Sequence, residues 1–141
     1  MFDLNRDECR QFFFTTWQKK KNLQTLSQLE QQIVEIIETH PEYHAIICDP
    51  EQHQQENYRS DNNPFLHLSL HLGLQEQINT NRPQGVQAIY RQLLMKHQDQ
   101  HTVAHQMMEI LARVLWDAQQ HAQLPDEEDY LMQLQQIIKS A

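Results

Sequence analysis

Apolar side chains recur along the chain at spacings of three and four residues, and no window shows the sustained alternation of a β-strand. Few glycines and prolines interrupt this pattern. It therefore predicts an all-α fold, a single-domain helical bundle of about five to six helices over residues 1–141. The predicted helices run from about Asp3 or Asn5 to Lys20, Asn22 to Thr39, Asn62 to Asn79, Pro83 to Lys96 and Asp99 to Ala122, with a short one from Pro41 and a last one after Leu124–Glu128.

The segment Asn62–Asn79 is predicted to be the buried central helix. An Asn cap precedes Pro64 at the first helical position, where the missing N–H costs nothing. Apolar residues cover the segment nearly all round, and His67 and His71 share one face at roughly 100° per residue. A buried imidazole needs a partner because it has lost its hydrogen bonds to water. The two histidines therefore indicate a site.

The helix predicted at Asp99–Ala122 carries a second pair of this kind, His101 and His105. Glu109 lies at the edge of the same arc, which continues through a further apolar set, namely Met108, Ala112, Leu115 and Trp116. Side chains four residues apart on a helix stand one turn apart, so two imidazoles can converge on one ion. Two such helices predict a metal site between helices, with Zn, Fe, Mn or Ni as the candidate ions.

His40 and His44 form a third pair, but Pro41 lies between them. A residue before proline resists the α region, so the helix predicted at Asn22–Thr39, whose apolar face starts at Leu23, should break there. His40 and His44 are candidate additional ligands whose direction the sequence leaves open. The complete candidate set is His67, His71, His101, His105, Glu109, His40 and His44.

Two other interpretations stay open. In the first, the histidines form a buried hydrogen-bond network with Glu76 and Glu109, and the protein is a metal-free interaction or scaffold module. In the second, the core is a ligand pocket or responds to pH, because buried histidines resist protonation. An open coordination position on a metal would permit hydrolytic or oxygen and redox chemistry, between which the sequence does not choose.

Charge and composition exclude several classes of partner. The 141 residues carry a formal net charge of −8, which argues against nucleic acid or an anionic membrane surface as a partner. No stretch has the apolar length of a membrane span, and the two cysteines form no CxxC motif, so a reducing cytoplasm is expected. The polar stretch Cys48–Asp61 is predicted to be a loop. A protein partner or a homo-oligomer stays open.

Several blocks of the chain together resemble the bacterial domain-of-unknown-function family 1841. They are HPEYH (His40–His44), NPFLHLSLH (Asn63–His71), Glu76–Gln77, Arg82–Gly85 and His101–Gln119. The resemblance covers nearly the whole chain, implies a small cytosolic bacterial protein, and brings no established activity. It singles out Asn63, Pro64, Glu76 and Trp116 beside the candidate ligands, whereas Ala104 and Gln120 stand where more polar family residues are expected. The architecture is also similar to hemerythrin-like and DinB-like bundles, by analogy only.

Overall fold

The computed structural model describes residues 6–50 and 63–140. Within these residues the chain is entirely helical apart from turns, which confirms the all-α prediction, although the helices number seven instead of five to six. They are α1 (Arg6–Lys21), α2 (Gln28–Glu38), α3 (His44–Ile47), α4 (Pro64–Thr80), α5 (Val86–His97), α6 (Gln100–Gln120) and α7 (Glu127–Ser140), with a 3-10 helix at Pro41–Tyr43. Most of the loop predicted at Cys48–Asp61 lies outside the described residues.

The backbone contacts divide the chain into two compact units, Met1–Leu72 and Gly73–Ala141. The helix α4 contributes its residues up to Leu72 to the first unit and the remainder to the second. No described helix is both long and apolar enough to span a bilayer.

The core of the first unit is built from aromatic and aliphatic side chains of α1, α2, α3 and α4. Phe65 of α4 stacks on Phe13 at 6.4 Å between ring centroids and meets Phe14 edge-on at 5.5 Å. The guanidinium of the buried Arg10 lies 4.5 Å above the same ring, a cation–π contact. The remaining buried members are Trp17, Ile33, Val34, Ile37, Ile47, Leu68 and Leu72. This packing fixes the start of α4, which carries His67 and His71.

The predicted start of the second helix at Asn22 is wrong, because α2 begins six residues later, at Gln28. Leu23 has a left-handed backbone with φ of 57° and ends α1, where Gln24 N–H donates to the carbonyl of Lys19 at 2.9 Å. Its side chain is 93% exposed, so it is no part of an apolar face. The apolar spacing fitted a longer helix, but the turn at Leu23 and the cap at Ser27 decide the boundary.

A capping box sets the start of α2. Ser27 Oγ accepts from Glu30 N–H at 3.2 Å, and Glu30 Oε1 accepts from Ser27 N–H at 2.9 Å. Glu30 Oε2 also accepts from Lys19 Nζ at 2.8 Å. The Lys19 hydrogen bond, followed by the Ser27 N–H, lowers the pKa of Glu30. A carboxyl with a lowered pKa stabilises the fold above its unfolded pKa, and that contribution is lost as the pH falls.

In the second unit, α5, α6 and α7 pack against one another in pairs. The buried stripe of α6 runs through Val103, Met107, Ile110 and Val114, at spacings of four, three and four residues. Leu115 and Trp116, which the sequence places on the same arc as His101 and His105, are 40% and 58% exposed, so that end of the arc is not part of the core. They lie outside the stripe that the neighbouring helices cover.

We expect Ser27→Ala to lower the free energy of unfolding by about 1 kcal/mol, the usual cost of losing a side-chain helix cap. Chemical denaturation of the two proteins measures the difference. Glu35→Ala, at an exposed position in the middle of α2, is the matched control and should stay within about 0.5 kcal/mol of the wild type. Equal losses from the two substitutions would contradict the capping box.

Candidate metal centre

The start of α4 places His67 and His71 on one side of the helix. Asn63 Oδ1 accepts from the N–H groups of Phe65 and Leu66 at 3.0 and 3.1 Å, so the predicted Asn cap before Pro64 is confirmed. One turn apart, the two imidazoles meet edge to face with ring centroids 4.9 Å apart. Leu68, which lies between the two histidines in the sequence, and Leu72, which follows His71, are both buried. The histidines therefore lie at the border of the apolar core.

The predicted break at His40 is also confirmed, because α2 ends at Glu38 and a 3-10 helix begins at Pro41. His40 has φ of −127° and ψ of 68°, outside the helical region, as expected before proline. Its ring is 1% exposed, and Nδ1 lies 2.7 Å from the carbonyl oxygen of Ile36. A carbonyl can only accept, so Nδ1 carries the proton of the neutral ring and Nε2 presents its lone pair.

The Nε2 atoms of His67 and His71 both approach Nε2 of His40, and we call these three residues the three-histidine cluster. Nε2 of His40 lies 3.1 Å from Nε2 of His67 and 3.1 Å from Nε2 of His71. The ligand atoms of the three residues are all within 4.8 Å of one another. This convergence is what coordination to a single ion requires.

Tyr43 forms an aromatic wall beside the cluster. Its ring lies parallel to that of His40, with 5.4 Å between centroids and 5° between planes, and meets His67 edge-on at 5.9 Å. Burial, and to a lesser degree the carboxylate of Glu42, raises the pKa of Tyr43, so its phenol stays protonated at neutral pH. Two of the three rings are thus held in orientation by one neutral aromatic side chain.

His44 lies apart from the three-histidine cluster. Its Nε2 donates to the carbonyl oxygen of Ile37 at 2.9 Å, and its ring packs on Trp17 at 5.0 Å between centroids. Both contacts fit a histidine that ties α3 to α1 and α2. The Pro41 break therefore separates the directions of His40 and His44, which the sequence could not assign.

The candidate ligands of α6 lie in the second unit. The rings of His101 and His105 are 4.0 Å apart between centroids, as expected for an i,i+4 pair, and both residues are partly buried. Glu109 is exposed. Glu76 on α4 is also exposed, which fits the solvent edge of the helix and not a buried network. That the α6 residues add ligands stays a prediction.

A model of one protein family, described as a domain of unknown function (DUF1841), matches residues 5–136. The chain belongs to the DUF1841 family. The resemblance to this family over nearly the whole chain is therefore confirmed. No curated protein and no solved structure matches the chain. Since the description of DUF1841 names no activity, function has to be argued from the site.

Two groups that contact His40 were not predicted from the sequence, namely the carbonyl of Ile36 and the ring of Tyr43. The Ile36 carbonyl leaves no signal in a sequence, because every residue has one. Tyr43 lies inside the HPEYH block, three residues after His40, and an aromatic residue at that distance from a candidate ligand was a usable signal. Its stacking on His40 still depends on the 3-10 turn between them.

We expect His40 and His44 to be opposite tautomers in the metal-free protein. His40 donates through Nδ1 to Ile36, whereas His44 donates through Nε2 to Ile37. A long-range ¹H–¹⁵N correlation spectrum at mildly alkaline pH, with each signal assigned by a His→Gln variant, distinguishes the two forms. The same tautomer at both positions would contradict the hydrogen bonds described here.

Proposed function

We propose that this DUF1841 protein binds a divalent transition-metal ion through the Nε2 atoms of His40, His67 and His71. The supporting observation is the separation of 3.1 Å between the Nε2 atom of His40 and those of the other two. Nitrogens that each lie about 2.0–2.1 Å from a tetrahedral zinc ion are about 3.3 Å apart. Two of the three nitrogen–nitrogen separations are therefore close to those of a coordinated ion before any ion binds.

Outer contacts of the cluster also support metal binding. The hydrogen bond from His40 Nδ1 to a backbone carbonyl is the arrangement that fixes the tautomer and orientation of a metal-binding histidine. The parallel ring of Tyr43 restricts the same imidazole further. A preorganised site of this kind loses little side-chain entropy when the ion enters. An all-imidazole set suits Zn, Ni, Fe or Cu better than Mg or Ca.

The proposal assigns no reaction. Three protein ligands leave at least one coordination position for water or another ligand, the arrangement of catalytic and not structural zinc sites. Cys9 and Cys48 are both free thiols, so the proposal keeps a reducing compartment, the cytoplasm, as the setting. The net charge of −8 still argues against a nucleic-acid partner.

A metal-free scaffold is the second candidate, and one observation favours it. The separation of 3.1 Å is also an ordinary N–H···N hydrogen-bond length, so either His67 or His71 can donate to the single lone pair of His40 Nε2 without an ion. The two candidates differ in their response to chelator. A ligand present at about a hundred times its dissociation constant stabilises the folded state by about 2.7 kcal/mol, whereas a metal-free network gains nothing from metal.

We expect untagged protein, purified without chelator or a nickel column, to contain one transition-metal ion per chain by elemental analysis. His71→Ala and His40→Ala should lose this metal, because each removes one of three converging nitrogens. His121→Ala is the matched control, since the exposed His121 bonds the Asp117 carbonyl in the second unit, and it should keep the metal. A chelator should lower the melting temperature of the wild type.

Retained stoichiometric metal in both variants would contradict the site. Absence of metal, together with a melting temperature that ignores chelator and added Zn²⁺, would favour the scaffold instead. If His71→Ala does not fold, His67→Gln gives the same test at a partly exposed ring with a side chain of similar length.

The predicted ligands of α6 have a separate test. If His105 or His101 coordinates the same ion, His105→Ala or His101→Ala should weaken metal affinity by about tenfold or more. Removing a group that only hydrogen-bonds to a metal ligand already costs about tenfold, and removing the ligand itself should cost at least as much. Competition with a chromophoric chelator measures the affinity. Glu109→Gln belongs to the same series, and His121→Ala is again the control. Unchanged affinity in all three variants would leave the α6 residues with a structural role.

A further inference from the structure

We infer that a cleft in the second unit is a docking site for an arginine side chain of a partner protein. The cleft lies at the end of α6 and the start of α7, and its volume is about 110 Å³. Sites for drug-sized ligands measure about 300–1,000 Å³, so this cleft has room for a single side chain. The inference goes beyond the metal site and does not depend on it.

Apolar side chains form one part of the cleft. Val114 is buried and Ala118 partly buried on α6, whereas Leu124, in the turn that follows, is 91% exposed. Leu124 therefore extends the apolar wall of the cleft into the solvent. The methylene stem of a long cationic side chain covers such a surface while its charged end stays within reach of polar groups.

Carboxylates form the other part of the cleft. Asp117 comes from the last turn of α6, Asp126 from the turn before α7 and Asp129 from the first turn of α7. Asp126 Oδ1 accepts from Asp129 N–H at 3.1 Å, and Asp129 Oδ2 accepts from Gln133 Nε2 at 2.7 Å. An ionised carboxylate has about four acceptor positions, so each of these groups can hold its hydrogen bond and bind a cation as well.

The end of α6 adds to the negative potential of the cleft. The last carbonyls of a helix carry about half a negative charge, and a cation near them is stabilising. The helix α6, which is described in full, has no basic side chain in its last turn and places Asp117 there instead. The acidic first turn of α7, by contrast, complements the positive end of its own helix. An external cation would therefore complement the charge at the end of α6.

The distribution of the carboxylates favours arginine over a metal ion. Within residues 6–50 and 63–140, Asp117, Asp126 and Asp129 do not form a group whose ligand atoms lie within 4.8 Å of one another, as the ligands of one ion do. A guanidinium is planar and carries five N–H donors, so it can bond to separate carboxylates. Its methylene stem matches the apolar wall. The net charge of −8 also attracts a basic partner.

The test uses the full chain and N-acetylarginine methylamide as the probe, followed by ¹H–¹⁵N correlation spectra at about 0.15 M salt. We expect the amide signals of Ala118, Leu124 and Asp126 to shift to saturation with one dissociation constant in the millimolar range. N-acetylnorleucine methylamide keeps a stem without the charge, and methylguanidinium keeps the charge without a stem. Each should bind about threefold more weakly than the arginine probe, or weaker still, because each lacks one of the two contacts.

Variants of the carboxylates locate the binding. Asp126→Asn removes a charge from the cleft and keeps the oxygen that caps α7, so the fold should be retained. We expect Asp126→Asn and Asp117→Asn each to weaken probe binding by about twofold to fivefold, the usual effect of an exposed charge pair. Glu128→Gln is the matched control, because it removes the same charge from the first turn of α7 at a residue that does not line the cleft. Its effect should stay below about twofold, since salt screens the charge.

Three outcomes would overturn the inference. The first is a set of shifts that appear elsewhere in the protein or do not saturate. The second is an equal loss of binding in Asp126→Asn and Glu128→Gln, because the net charge of the protein would then explain the binding. The third is methylguanidinium or Mg²⁺ that binds at the same amides at least as tightly as the arginine probe, since the cleft would then be a cation site without a docking function.

Discussion

The hydrogen bond between His40 Nδ1 and the Ile36 carbonyl is the interaction on which the candidate site depends. It exists because Pro41 forces His40 out of the helix, so that the ring folds back onto the last turn of α2. With Nδ1–H donating to the carbonyl, the neutral ring presents its lone pair at Nε2. Either His67 or His71 can then donate to this lone pair at 3.1 Å, or an ion can bind it.

The geometry of the cluster is held by the apolar core and not by the histidines themselves. His40 lies 27 and 31 residues from its two partners along the chain, and α2 and α4 hold them together through buried residues such as Ile37 and Leu68. Hydrophobic burial on this scale stabilises by about 25 cal/mol per Å² of apolar surface, which outweighs the modest net gain of a neutral hydrogen bond. The core therefore brings the three rings together without the help of an ion.

Local signals in the sequence predicted the local features of the fold. Helical periodicity gave the all-α class, and the Asn63 cap and the Pro41 break were both predicted from residue chemistry. The boundary at α2 was missed because the left-handed turn at Leu23 has no glycine to mark it. The exposure of Trp116 was missed because periodicity says which residues share a face, not which face is covered.

The site, too, could be predicted from the sequence only where a single helix determines the geometry. The i,i+4 spacing placed His67 and His71 together because a single helix determines that geometry. Whether His40 or His44 would join them was decided by three residues of 3-10 helix, which turn one ring toward α4 and the other toward Trp17. Two histidines four residues apart thus have different chemistry: His40 donates through Nδ1 and leaves Nε2 toward His67 and His71, whereas His44 donates through Nε2 itself. A count of His pairs cannot make that distinction, whereas the direction of one N–H bond can.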